Sequence, residues 1–404
     1  MDINITLFAA PIFIILIIIE GIVTYYKKLN VYHFNDTVNN LSSGILEEIA
    51  ALPVRGLVIF SYDFLYEHFA YFNINTQNVF SWLILWIGVD FCYYWYHRVS
   101  HRCNFFWIGH SVHHQSESYN LSVALRQGYF QTLTSWIFYL PLSILGFSTK
   151  MFVVVASLNT IYQFWIHTQS IKRMGWFEKI FNTPSHHRVH HGKNPEYIDK
   201  NYAGSLIVWD KLFGTFEPEN MPAEYGVTEP LDSWNPFYAN IKVIKDVLYY
   251  GKNFKNKLDV LRAFFMPPEW IIKRLQQQNL PIIKRVAITK NSSSPPLYML
   301  FNIVLSIALY AYLSLVFISD SLSNWLMVLF ILFTLYLLGF VANGKSKIIF
   351  LEIIRSALLL SILVLIKNHL FFALTISIGF LLINLCFFYS KFLKNQSYSP
   401  SISA

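Results

Sequence analysis

The chain has 404 residues, of which 54% are hydrophobic, 18% aromatic and only 13% charged, with a formal net charge of +8. A soluble globular protein carries about 25% charged residues, so an ordinary soluble domain is excluded, and the positive balance reads as topological bias in membrane loops, with no nucleic-acid partner expected. Three dispersed cysteines, Cys92, Cys103 and Cys386, form no CxxC pair and argue against a disulfide framework or a thiolate metal site.

In chain order, the first element is an apolar run over residues 4–24, close to the ~20 residues that cross a bilayer core. It begins MDIN, without the basic start of a secretory signal, and closes on Tyr25, Tyr26, Lys27 and Lys28. That aromatic-then-basic edge marks a retained span ending on the cytoplasmic side. Less pure candidate spans follow at 45–66, 78–96, 129–147 and 150–167, whose polar residues suit the inside of a bundle. Purer runs return at 298–318, 323–341, 348–366 and 370–389. The expected fold is therefore all-α: a polytopic integral membrane helical bundle with seven to nine spans.

Between the two hydrophobic blocks, residues 241–296 are polar, basic and interrupted by Pro267, Pro268, Pro281, Pro295 and Pro296. The stretch IKVIKDVLYYGKNFKNKLDVLRAFF mixes apolar and basic residues at helical intervals, which suits a helix lying on a membrane surface or packed on its neighbours. The organisation expected is a membrane-embedded region 1–240, a basic cytoplasmic or interfacial linker 241–296, C-terminal spans 297–390 and a disordered tail 391–404. The loop cations Lys172, Arg173, Lys179, Arg188, Lys193, Lys200 and Lys211 face the cytoplasm by the positive-inside rule. They carry the histidines described next to that side.

Ten of the 13 histidines fall in the 95 residues from His97 to His191. Three clusters read HRVSH (97–101), HSVHH (110–114) and HHRVHH (186–191), with His167 between the last two. His97 and His101 are four apart; His110, His113 and His114, like His187, His190 and His191, are spaced at three and four. On a helix each set projects from one face, and a bundle gathers such faces around a buried site. Imidazole is the commonest transition-metal ligand and suits iron, zinc or copper. So many rings converge only on a site for more than one metal. The set is His97, His101, His110, His113, His114, His167, His187, His190 and His191, forming a cytosolic histidine-rich cap with a dinuclear site. His186 breaks the spacing and reads as the spare; His33, His68 and His369 read as ordinary. Asp90, Glu117, Asn120, Asp199, Asn201 and Asp210 are candidates to hold the rings by their second nitrogens. No Glu-x-x-His motif of a carboxylate-bridged site occurs. The aromatic run Phe91, Tyr93, Tyr94, Trp95 and Tyr96 sits where a span meets the interface, so the site lies just below the membrane surface.

At these clusters the sequence resembles the fatty acid hydroxylase superfamily of membrane oxygenases, which includes sterol desaturases, over residues 35–235. SYNLSVALRQ (118–127), HHRVHHGKNP (186–195), YIDKNYAGSLIVWDKLFGTFEPE (197–219) and YGVTEPL (225–231) are most similar to its ether-lipid-cleaving members. The resemblance implies a diiron centre (two Fe ions) held by the clustered histidines, with O2 as co-substrate and tetrahydrobiopterin or a redox protein as electron donor. The implied substrate is a membrane lipid, an alkylglycerol hydroxylated on the alkyl carbon beside its ether oxygen, giving a fatty aldehyde and a glycerol derivative. A fatty acyl or sterol-type hydroxylase or desaturase is the alternative within the superfamily. Arg102 departs from the glutamate expected after the first cluster in the animal members. A zinc transporter or sensor would place its ligands near the bilayer midplane, whereas these lie at span ends and in loops.

Overall fold

The computed structural model describes residues 5–280, 294–316, 321–367 and 369–396, and the regular elements among them are helical, with only two isolated β-bridges. In order they are α1 (Ile5–Tyr26), α2 (Phe34–Phe69), α3 (Val79–Arg102), α4 (Asn104–His114), α5 (Leu121–Ala124), α6 (Tyr129–Ser135), α7 (Leu140–Ile144), α8 (Thr149–Trp165), α9 (Pro184–His190), α10 (Val208–Leu212), α11 (Pro236–Gly251), α12 (Leu258–Phe265), α13 (Glu269–Gln277), α14 (Pro296–Val316), α15 (Leu322–Ala342), α16 (Ile349–Lys367) and α17 (Leu370–Gln396). The expected all-α fold is what forms. Pro281 and the tail residues 397–404 lie outside the described residues.

Six helices among the described residues are long and apolar enough to cross a bilayer, α1, α3 and α14–α17. Three of the less pure candidates from the sequence, 45–66, 129–147 and 150–167, are not among these six. Residues 45–66 sit inside α2, whose 36 residues include Glu48 and Arg55 in an ion pair at 2.5 Å. Residues 129–147 break into short pieces around Pro141 and Gly146, the latter at φ +103°, where a Cβ would strike the Phe72 carbonyl. Most of residues 150–167 lie in the 17-residue α8 (Thr149–Trp165), capped by the Ser148 side chain on the Met151 N–H.

The described residues divide into two compact units. One is built from α1–α10 with most of α11, α12 and α13. Tyr62, Leu85, Val89, Leu142, Phe147, Met151 and Val155 make a shared core of α2, α3, α7 and α8. Phe13 of α1 stacks on Phe164 of α8 at 4.0 Å. Helices α11–α13 bury Val247, Tyr250, Phe254, Ala263, Ile271 and Leu275 among themselves; a fully buried side chain of this size contributes on the order of 1.5–3 kcal/mol. This subassembly is fixed to the start of α4, where the Asn104 amide hydrogens reach the Met266 and Ala263 carbonyls at 3.0 and 2.8 Å.

The other unit comprises α14–α17 with the segment Ser233–Tyr238. Its interior holds a polar network. Arg355 donates to both carboxylate oxygens of Glu352 (2.9 and 2.7 Å) and to Asn302 (2.7 Å). Tyr298 donates to Glu352 at 2.5 Å and Asn302 to Asn384 at 2.7 Å. Every member is fully buried.

Candidate metal centre

Three helices and one loop carry the histidines. His97 and His101 lie one turn apart on the last turns of α3, and Cys103 ends that helix in extended backbone so that α4 turns back across it. Gly109 and Gly128 let α4 and α6 approach: a Cβ on Gly128 would lie 2.1 Å from the Gly109 carbonyl oxygen. His110, His113 and His114 follow on α4. His167 comes just after α8, and Pro184 at the first turn of α9 starts the helix that bears His187 and His190, with His191 at its end.

The structure brings all nine predicted histidines together, in two buried groups whose nitrogens lie within 4.8 Å of one another. One group is His97, His101, His110, His114 and His190; the other is His113, His167, His187 and His191. The spacing explains the partition. Residues four apart, 97/101, 110/114 and 187/191, share a group, while the member offset by three or one turns toward the other. Helices α4 and α9 therefore feed both groups, and the groups adjoin: the His113 and His114 rings stand 5.5 Å apart and His190 and His191 5.3 Å.

The second nitrogens are held chiefly by the main chain. Nδ1–H of His97 donates to the Tyr202 carbonyl (2.7 Å), His113 to Arg126 (2.9 Å), His167 to Gln163 (2.7 Å) and His190 to Lys200 (2.9 Å). His110 Nδ1 meets Gln131 Oε1 at 3.2 Å. Those bonds fix the tautomer and leave Nε2 with its lone pair, the metal-binding form. Two such lone pairs then face each other in each group: His97 and His110 at 2.8 Å, and His113 and His167 at 3.1 Å. Two acceptors at that distance repel unless a cation lies among them. Nitrogens sharing one ion at 2.0–2.1 Å stand about 3 Å apart, so the donor set fits metal. His101 Nε2 and His191 Nε2, both buried, have no hydrogen-bond partner among the described residues.

Burial sets the charge state. It lowers the imidazolium pKa of His113 to about 4 and those of His110, His114, His187, His190 and His191 well below the usual value, with neighbouring histidines adding to the effect in most of them. The rings are neutral and ready to ligate.

The loop supplying the Lys200 and Tyr202 carbonyls is shaped by two left-handed residues, Asp199 (φ 61°) and Asn201 (φ 54°), a conformation that asparagine and aspartate tolerate. Asn201 is locked by its side chain, which donates to the His186 and Glu217 carbonyls at 3.0 and 2.7 Å and accepts the Glu217 N–H at 2.9 Å. Asp210, its pKa pushed up to about 6 by burial, accepts the Tyr202 and Ala203 N–H groups at 2.8 Å. Asp90 accepts from Ser205, Leu206, Trp209 and Asn159. Asn120 caps α5 through the Ser122 N–H. Asp90, Asn120, Asn201 and Asp210, expected to hold rings directly, thus shape the backbone that holds them. Asp199 comes nearest to that role, 3.5 Å from His101 Nδ1, and is also paired with Arg102. Sequence reasoning missed Gln131 and Arg126. Arg126 is buried, donating to the Val112 carbonyl (2.6 Å), Asn40 (3.1 Å) and Gln115 (3.1 Å) while its own carbonyl holds His113; an arginine inside so apolar a stretch was the available signal. His186 is buried outside both groups against Phe216, and His33, His68 and His369 lie elsewhere.

Membrane-spanning helices together with two buried histidine groups define an integral membrane protein of the fatty acid hydroxylase class, and the Fatty acid hydroxylase family model matches residues 82–215. The chain is 37% identical over 363 residues to alkylglycerol monooxygenase of Homo sapiens, covering 87% of this chain and 81% of that protein. It is 36% identical over 362 residues to that of Xenopus tropicalis and 36% over 363 residues to that of Danio rerio, in both cases across 87% of this chain and 80% of the relative. The chain belongs to the alkylglycerol monooxygenase family. No solved structure matches it.

Proposed function

We propose that this protein is an O2-dependent membrane monooxygenase that hydroxylates the alkyl carbon beside the ether oxygen of alkylglycerol lipids. The observation that carries the reading is the pair of histidine groups sharing α4 and α9, in a chain so similar to alkylglycerol monooxygenases. His97, His101, His110, His114 and His190 would hold one iron, and His113, His167, His187 and His191 a second. Bound iron would supply the activation of dioxygen. The protein's part is to keep nine rings convergent: main-chain carbonyls hold Nδ1 of His97, His113, His167 and His190, and burial favours the neutral form of His113, His114, His187, His190 and His191.

The ether oxygen's lone pair weakens the adjacent C–H bond, which makes that carbon the point of attack. One oxygen atom of O2 enters the C–H bond; the other leaves as water with two electrons and two protons from a donor, tetrahydrobiopterin in this proposal. The hydroxylated carbon is a hemiacetal. Its C–O bond breaks, the hydroxyl proton passes to the leaving oxygen, and a fatty aldehyde and a glycerol derivative separate. The loop cations favour a cytoplasmic face for the site.

The test feeds an alkylglycerol and a free fatty acid to purified, iron-loaded protein with tetrahydrobiopterin. Aldehyde release from the ether, dependent on pterin, is the expected result. Hydroxylation of the fatty acid with an inert ether would replace this reading by acyl hydroxylation.

A further inference from the structure

Helix α1 carries a single charged residue, Glu20, in an otherwise uncharged span. Ile18, Ile19 and Ile22 around it face outward and are exposed, whereas Glu20 is buried. A charged group inside a span is costly to keep there and marks a functional position by default. Helix α1 lies outside residues 82–215, which the family model matches, and outside the segment that holds the nine histidines.

The Glu20 carboxylate ties three points of the chain together. Its Oε2 accepts the Leu121 N–H at 2.8 Å and the Tyr32 hydroxyl at 2.5 Å, and its Oε1 accepts the Thr168 hydroxyl. Two of those points adjoin the metal centre. Thr168 directly follows His167, and its carbonyl is held from the other side by Arg188, which donates to it at 3.0 Å from between His187 and His190 on α9. Leu121 starts the short α5 just after Tyr119, whose ring lies 5.8 Å from that of His167 and 5.2 Å from that of His191. Tyr119 also donates to the Ile166 carbonyl at 3.0 Å, and Gln169 donates to the Tyr119 carbonyl at 2.9 Å. His167, His187 and His191 all belong to the group of four. The group of five is supported elsewhere, through Tyr202, Gln131 and Lys200.

We propose that Glu20 is a positioning residue for the four-histidine group: from inside the first span it fixes the His167–Thr168 and Tyr119–Leu121 segments relative to each other, and so keeps the His167 ring in register with His113, His187 and His191. The assignment rests on the two-iron reading above and adds to it a residue far from the histidine clusters in sequence. Glu20 acts through geometry rather than charge. Its three donors are neutral groups, and a glutamine of the same size can serve all of them: the amide oxygen accepts from Leu121 and Tyr32 while the NH2 donates to the Thr168 hydroxyl oxygen. A leucine suits the span equally well and can serve none.

Iron retention by the full-length, detergent-solubilised protein, loaded anaerobically and challenged with a chelator, tests this apart from turnover. Two backgrounds isolate the groups: His97→Ala leaves the group of four intact, and His113→Ala leaves the group of five. Glu20→Leu should weaken retention at least about tenfold in the first background, the cost of losing a ligand's outer support, and leave it unchanged in the second. Glu20→Gln should hold iron as its parent does in both. Thr168→Val removes one link while keeping the side chain's shape; it should repeat the selective loss, and it decides the matter if Glu20→Leu does not fold. Equal weakening of both groups by a folded Glu20→Leu protein, or undiminished retention by the group of four, overturns the assignment. So does a Glu20→Gln protein as impaired as Glu20→Leu. A wild-type protein that holds no second iron instead overturns the two-iron reading, and the positioning role falls with it.

Discussion

Both units bury polar side chains in a largely apolar chain, but they satisfy them in opposite ways. In the α14–α17 unit Glu352, Arg355, Asn302, Asn384 and Tyr298 bond to one another, and Arg355 also lies 4.9 Å from the Phe380 ring centre. The network is closed and asks for nothing further. In the histidine unit His97, His113, His167 and His190 each spend one nitrogen on a main-chain carbonyl and aim the other at the ring nitrogen of a neighbouring histidine. A closed network is architecture; converging lone pairs are a donor set that fits a cation. The contrast separates structural polarity from functional polarity without reference to any relative.

The largest expected effects would break the contrast outright. His113→Ala or His190→Ala should abolish lipid turnover, by more than the roughly 10–100-fold that loss of a ligand's supporting partner costs, while the protein stays in the membrane. Activity and membrane-fraction immunoblots check both halves, and normal activity would refute the ligand role. Arg355→Ala should behave differently, leaving Glu352 buried and unpaired at a cost of about 3–5 kcal/mol. A thermal-shift assay reads that loss, while metal content per folded molecule should be unchanged; metal loss would blur the distinction between the units.

Smaller effects sharpen it. Gln131→Ala removes the side-chain acceptor on His110 Nδ1 and should weaken metal retention by about tenfold, measured by competition with a chelator. The pH response of the metal-free protein is the mildest. His113 titrates near 4 when folded, below its ordinary value near 6.5, so the unfolded chain binds the proton more readily. Stability from this ring is intact above about pH 6.5 and declines as pH falls toward 4. Chemical denaturation of apoprotein across that window should show the decline, and a flat profile would contradict neutral burial.

Much of the site was legible in the sequence because helical spacing is a side-chain property. The spacings of three and four within 97–101, 110–114 and 187–191, with the single His167, were enough to name the nine residues that converge. What supports them was hidden. The acceptors for His97 and His190 are the carbonyls of Tyr202 and Lys200, and a carbonyl has no residue-type signature. Asp90 and Asp210 looked like ring partners, but their carboxylates collect backbone N–H groups instead. The purer spans were equally plain, whereas 129–147 reads as one apolar run until Pro141 and Gly146 break it. Division of the rings into groups of five and four also needed coordinates, since α4 and α9 each contribute to both.

The most direct measurement is iron stoichiometry on the purified, anaerobically reconstituted protein, wild type beside His97→Ala and His113→Ala. The account predicts two irons per chain in the wild type and selective loss of one iron in each variant, because each substitution strikes a different group. A single iron per chain, or full iron retention in both variants, would contradict it.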